Sequence, residues 1–250
     1  MPSALDPSPR QPRRLEQAPT ARYVDMVDAP ATPTRPIEVH AWLDVACPWC
    51  WVAKRRFEAA RTEHGGDVTV EYHSYELAPD LPADYLSTEA DFLQFHYPGW
   101  TRKDVQQMMW VVGSTGARLG LAYDFGTVQH TSTFLAHQLL HHAKANGRQL
   151  PMLDVLFSAF FEQGRDLRGI DELVALAAEV DLDAAITREV LEVGRYANAV
   201  RADRELAAGY GVTKIPTYVV AGQPPIHGAR RPAVFVEALR TAVENAQPGL

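Results

Sequence analysis

From Ile37 onward the chain changes character: scattered prolines and polar residues give way to Ile37-Glu-Val-His-Ala-Trp-Leu-Asp-Val45, apolar at most positions on both faces. Such a run predicts a central strand of a sheet covered by helices. Residues 48–64 follow a helical period, with Val52, Phe57 and Ala60 inward, Lys54, Arg55, Arg56 and Glu58 mostly outward, and Gly65-Gly66 as the stop. Residues 68–75 alternate as a second strand, completing a βαβ unit. From about residue 83 to 193 the period is helical, broken by turn signals at Pro98-Gly99, Asp124-Phe-Gly126, Gly147 and Gly164, with almost no convincing strand. Within it, residues 132–145 and 152–163 read as amphipathic helices. A helix over 197–209, a short apolar strand led by Pro216, a turn at 222–225, a short strand at Ile226-His227 and a helix over 232–245 close the chain as ββα. The pattern predicts an α/β fold: a βαβ unit and a ββα unit (37–80 and 194–247) around an all-helical insertion (81–193). Residues 1–36, polar and punctuated by proline, read as a disordered or loosely attached arm.

Composition narrows the class. With 250 residues, 46% of them hydrophobic, the chain can bury a sizeable core. Its formal net charge of -7 argues against a nucleic-acid surface. No apolar run reaches the roughly 18 residues of a membrane span. Residues 1–36 lack the apolar core of a secretory signal, so a cytoplasmic setting is expected.

The chemistry concentrates on the only two cysteines, in Cys47-Pro48-Trp49-Cys50, where the first strand hands over to the first helix. A first helical turn has unpaired N–H groups and partial positive charge, which favour a thiolate, the nucleophile of thiol–disulfide exchange. Cys47, at the helix entry, is placed to attack; Cys50, one turn in, to resolve the mixed disulfide. Pro48 suits the first helical position, where its missing N–H costs nothing. Two alternatives stand beside this reading. Cys-x-x-Cys also opens zinc sites, which would need two more ligands, with His137, His141 and His142 as recruits and no second cysteine pair. Two unreactive core cysteines are the other. Trp49, Trp51, Trp100 and Trp110 are candidate walls of an apolar cleft. No metal is expected at the cysteine pair.

The order of motifs is more specific than any one of them. Trp42-Leu-Asp-Val-Ala-Cys-Pro-Trp-Cys-Trp-Val-Ala-Lys-Arg-Arg-Phe57, then Ser132-Thr133 through Ala136-His137, Leu156-Phe157 to Gly164, Gly211-Val212 with Ile215-Pro216, and His227-Gly-Ala-Arg-Arg-Pro232 span nearly all of the folded chain. The set resembles the DsbA-like branch of the thioredoxin superfamily, in particular FrnE-type proteins and the related 2-hydroxychromene-2-carboxylate isomerases. The resemblance implies a thioredoxin fold with a helical insertion, and a cis-proline at Pro216 beside Cys47. The backbone of Ile215 would then pair with an extended substrate segment. It also implies that Ser132, Thr133 and His137 line the cleft facing the cysteines. Lys214, just before the Ile-Pro pair, is either a border of the substrate groove or simply an exposed lysine. Dimers are common in this branch, though no stretch here marks an interface.

Two departures qualify the likeness. Strongly oxidising DsbA proteins carry His where Trp49 stands, so the thiolate here rests mainly on the helix terminus and the couple is expected to be less oxidising. The buried acid six residues before the first cysteine is Ala41 here; Asp44 is the nearer acid, either a proton acceptor for Cys50 or a cap. The function implied is a thiol–disulfide oxidoreductase acting on a protein or small-molecule disulfide, reset by a redox partner and needing no cofactor beyond the thiol pair. A glutathione-dependent isomerase or transferase is the alternative, in which glutathione supplies the thiol, and a non-catalytic binding module is the second.

Overall fold

A computed structural model describes residues 35–246, which form one compact unit; most of the arm assigned to 1–36 lies outside the described residues. The first strand, β1 (Ile37–Leu43), is followed by α1 (Pro48–His64) and β2 (Val68–Ser74). Then come β3 (Leu86–Thr88), α2 (Glu89–His96), α3 (Arg102–Ala117) and β4 (Gln129–Thr131). Five helices follow: α4 (Phe134–Ala145), α5 (Gln149–Phe161), α6 (Ile170–Ala178), α7 (Ala184–Glu192) and α8 (Ala197–Gly209). The chain closes with β5 (Thr217–Val220), β6 (Ile226–His227) and α9 (Pro232–Ala246).

The main sheet has the order β2-β1-β5-β6, with β1 and β2 parallel and β5 and β6 antiparallel to their neighbours. Alternation along β1 sends Val39, Ala41 and Leu43 to the face covered by α1 and α9 and Trp42 to the face covered by α8. Both faces are therefore buried, which is why β1 reads as a continuous apolar run. The insertion helices join the same core. Trp51 of α1 stacks on Phe157 of α5 at 5.7 Å between ring centroids, and Phe157, Phe160 and Phe161 are fully buried. The first helical element stops at Gly65, whose φ of 71° lets its N–H return to the Arg61 carbonyl. At Gly164 the φ is 61° and a Cβ would fall 2.7 Å from the Thr127 carbonyl oxygen, so a side chain would push the two loops apart.

Three expectations are corrected by the fold. The helical stretch contains a second sheet, β3 paired antiparallel with β4, each strand three residues long. Strands that short carry no readable alternation, and their pairing depends on a partner far along the chain. The first strand stops at Leu43 because Asp44 begins the turn in which the Cys47 N–H returns to the Asp44 carbonyl. Lys54, expected outside, is 0% exposed. Its aliphatic stem is covered between α1 and α5, and its ammonium reaches Asp154 at 2.7 Å and Glu58.

Replacing a buried charge with an apolar chain of like length removes both the ion pair and its desolvation cost. Asp154 and Glu58 remain partly exposed and can return to water. Lys54→Met is therefore expected to change stability by less than about 1.5 kcal/mol in urea unfolding, the range of volume-conserving swaps.

Candidate active site at the first turn of α1

The handover from β1 to α1 is braced from several directions. Cys47 occupies the N-cap of α1 with φ −94° and ψ 108° and no side-chain cap; Pro48 follows inside the first turn, and the Cys50 N–H donates to the Cys47 carbonyl at 2.9 Å. The Tyr123 hydroxyl donates to the Pro48 carbonyl at 2.7 Å and ties this turn to the segment after α3. Both cysteines are free thiols; Cys47 is 5% exposed and Cys50 is sealed beneath it. Burial pushes the Cys50 thiol well up, and the neighbouring Cys47 sulfur and the Asp44 carboxylate push it further.

Opposite Cys47 stands the loop before β5. The Ile215–Pro216 peptide bond is cis. Thr217 Oγ1 donates to the Lys214 carbonyl at 2.6 Å, and the Gly228 N–H donates to the Pro216 carbonyl at 2.7 Å, so the loop is held at both ends. Cys47, Pro48, Trp49 and Ile215 open together onto a cleft of about 100 Å³ whose far wall comes from α2 and α3, with Tyr97 and Trp100 between them. Lys214 is exposed outside it.

Asp44 lies behind the turn, buried. Its Oδ2 accepts from the Leu77 N–H at 2.7 Å, and its Oδ1 lies 3.2 Å from both the Ala46 N–H and His137 Nε2. Burial pushes the Asp44 carboxyl up, but hydrogen bonds and charge from His137, the Leu77 N–H and Thr133 outweigh it and hold the net value below the ordinary range. Burial pulls His137 down, and the hydrogen bond and charge from Asp44, then the charges of Glu76 and Asp203, carry it above the ordinary range. The two form a buried ion pair. Asp44 therefore caps the loop after β1, not the first N–H groups of α1.

The sequence-predicted site residues thus separate into groups. Cys47, Pro48, Trp49 and Ile215 share the cleft, with Pro216 buried behind it. Asp44, Thr133 and His137 form the buried support, so Thr133 and His137 do not line the open space. Ser132 lies on a different cavity, beside Glu76 and Arg201. Of the tryptophans, Trp49 and Trp100 wall the cleft, Trp51 is core, and Trp110 points outward at 66% exposure. The histidines considered as partners for the cysteines turn elsewhere: His141 to Asp203 and His142 to Asn146.

Two features of the wall were missed. Glu89, in the first turn of α2, lines the cleft and is buried with one oxygen 2.8 Å from His130 Nδ1. Phe92 stacks on that imidazole at 3.2 Å between centroids. Thr88 and Asp91 mark a helix start in the sequence, but nothing there shows that Glu89 meets His130. Tyr97 is the second: it lines the same cleft as Cys47, and burial, then the charge of Cys47, raise its phenol.

The site thus combines a sheet of this order, a thiol at a helix N-cap and a cis-proline loop at the same cleft. Residues 38–240 match the DSBA-like thioredoxin domain. The chain belongs to the DsbA-like thioredoxin family. This DsbA-like protein is 31% identical to YwbO of Bacillus subtilis (strain 168), itself uncharacterized, over 81% of this chain and 96% of that one. Its fold superposes on a Streptomyces coelicolor protein named as a probable DsbA oxidoreductase with a TM-score of 0.80, at 36% identity, over 86% of this chain and 93% of that one. A 2-hydroxychromene-2-carboxylate isomerase shares the fold at 15% identity, with a TM-score of 0.62 over 84% of this chain and 98% of that one. The DsbA-like protein has no described helix long and apolar enough to cross a membrane.

Proposed function

We propose that this DsbA-like protein is a thiol–disulfide oxidoreductase with Cys47 and Cys50 as its redox pair. The observation that carries the reading is the stacking of one thiol behind another: Cys47 at the cleft mouth on a helix N-cap, Cys50 sealed beneath it. The Cys47 thiolate attacks one sulfur of a substrate disulfide, forming a mixed disulfide and releasing the other substrate sulfur as a thiolate. The Cys50 sulfur then attacks Cys47, and its proton ends on the departing substrate thiol. Two electrons pass to the substrate and the Cys47–Cys50 disulfide remains, to be reduced by a thiol partner; the reverse sequence oxidises a substrate dithiol. The raised Cys50 thiol favours Cys47 as the attacking sulfur of the first step, and Cys50 gives up its proton only as it attacks in the second. The cleft's apolar wall and the Ile215 backbone favour an extended peptide segment as substrate. A cytoplasmic setting is part of this reading.

The similarity to the isomerase keeps a glutathione-dependent isomerisation as the competing reading. It needs one thiol, brought by glutathione, and leaves both cysteines without a role. Insulin reduction by dithiothreitol separates the two. Wild type is expected to accelerate precipitation of the insulin chains well above the Cys47→Ser/Cys50→Ser double variant; equal rates would remove the oxidoreductase reading. A glutathione titration is expected to give a potential below DsbA's about −120 mV, because Trp49 offers the thiolate no positive charge.

A further inference from the structure

The α8-covered face of the sheet carries a cluster that the thiol chemistry does not use. His40 on β1 is the register partner of Glu71 on β2, and His73 lies two residues further along β2, so all three side chains share this face. One nitrogen or oxygen from each lies within 4.8 Å of the others. His40 Nδ1 is 2.9 Å from His73 Nε2, and His73 Nε2 is 3.7 Å from Glu71 Oε1. His40 and Glu71 open onto a cavity of about 480 Å³, which also takes in Glu38, Lys144 and Gln149.

The orientation of His73 is fixed from behind. Its Nδ1 is 2.9 Å from Asp203 Oδ1 on α8, and Asp203 also accepts from the Ser74 N–H at 2.7 Å and meets His141 Nε2 at 3.0 Å. An ionised carboxylate only accepts, so the His73 proton sits on Nδ1 and the Nε2 lone pair faces His40 and Glu71. One face of the ring also packs against Trp42, at 4.7 Å between centroids. A carboxylate holding the far nitrogen of an imidazole is the support found behind metal-ligating histidines.

We propose that His40, Glu71 and His73 form a binding site for a divalent transition-metal cation of the zinc type, with water from the cavity in the open position. Two imidazole nitrogens and one carboxylate are a donor set for zinc and its neighbours. Bonds of about 2.0–2.2 Å place tetrahedral ligand atoms roughly 3.3–3.6 Å apart, so the three groups need only small side-chain adjustments. Lys144 now rests its ammonium on Glu71; it is 40% exposed on a flexible stem, and a doubly charged ion displaces it. The bound ion joins β2, the edge of the sheet, to β1.

The test uses the full chain with both cysteines replaced by serine, so that thiolates cannot bind the probe. Titration with Co²⁺ is expected to give visible d–d bands saturating at one equivalent, without thiolate charge-transfer bands, and Zn²⁺ should abolish them in competition. His40→Ala and His73→Ala are each expected to weaken Co²⁺ binding about tenfold or more, and Asp203→Asn about 10–100-fold. Lys144→Ala should bind as tightly as the parent or more tightly. Circular dichroism checks folding; if His73→Ala misfolds, the more exposed His40→Ala and Lys144→Ala carry the test. Absence of stoichiometric binding in the parent, unchanged affinity in folded His40→Ala, or weakened binding in Lys144→Ala would each overturn the site.

Discussion

Cys50→Ser is expected to accumulate as a covalent mixed disulfide with its substrate, and Cys47→Ser to lose insulin reduction to the level of the double-serine control. The asymmetry follows from position. Cys47 is the sulfur on the cleft and Cys50 lies beneath it, so an incoming disulfide meets Cys47 first. A serine hydroxyl is not ionised near neutral pH and does not exchange with disulfides, so Cys47→Ser removes the first step. Cys50 acts from inside the same turn. Well-oriented intramolecular reactions reach effective molarities of about 10⁵ M, which no external thiol at laboratory concentration approaches. Without Cys50 the mixed disulfide decays only by that slow external route. Mass spectrometry of the intact chain under non-reducing conditions reads the adduct directly. If Cys47→Ser trapped the adduct and Cys50→Ser turned over, the roles would be reversed.

Asp44→Ala is expected to destabilise the protein by about 3–5 kcal/mol, the cost of leaving a buried ion pair with one partner. His137 would lose its counter-charge, and the Leu77 and Ala46 N–H groups would lose their acceptor. The pH dependence identifies the pair. Because Asp44 is lowered in the fold, its contribution is present above the unfolded value near about 4 and is lost as pH falls through the folded one. Because His137 is raised, its contribution is full below about 6.5 and is lost as pH rises through its folded value. The wild type should therefore gain most from the pair between about pH 4 and 6.5, and Asp44→Ala should lack both slopes. Denaturant unfolding across that range measures it. A variant as stable as wild type near pH 5.5 would show that Asp44 and His137 are not paired as described.

Much of the architecture was legible because long elements repeat their signals. The first helix, the eighth helix and the two closing strands lie where the apolar period, Gly65 and Pro216 place them. The short pair β3 and β4 was not legible, since three residues with little apolar content carry no pattern apart from each other. Lys54 shows a second limit. A helix wheel assigns faces by one partner, but α1 packs against α9 on one side and reaches α5 on another, so a position that looks outward is covered.

For the site, the sequence alone determined the thiol pair and its place at a helix start, because both depend on local backbone chemistry; the proline that faces the pair was implied by the resemblance. Only the tertiary structure decided what surrounds them. The meeting of Asp44 with His137, of Glu89 with His130, and of His40 with Glu71 and His73 joins side chains from separate elements. Such encounters follow from strand register and helix packing, which bring distant residues together without leaving any local signature at either one.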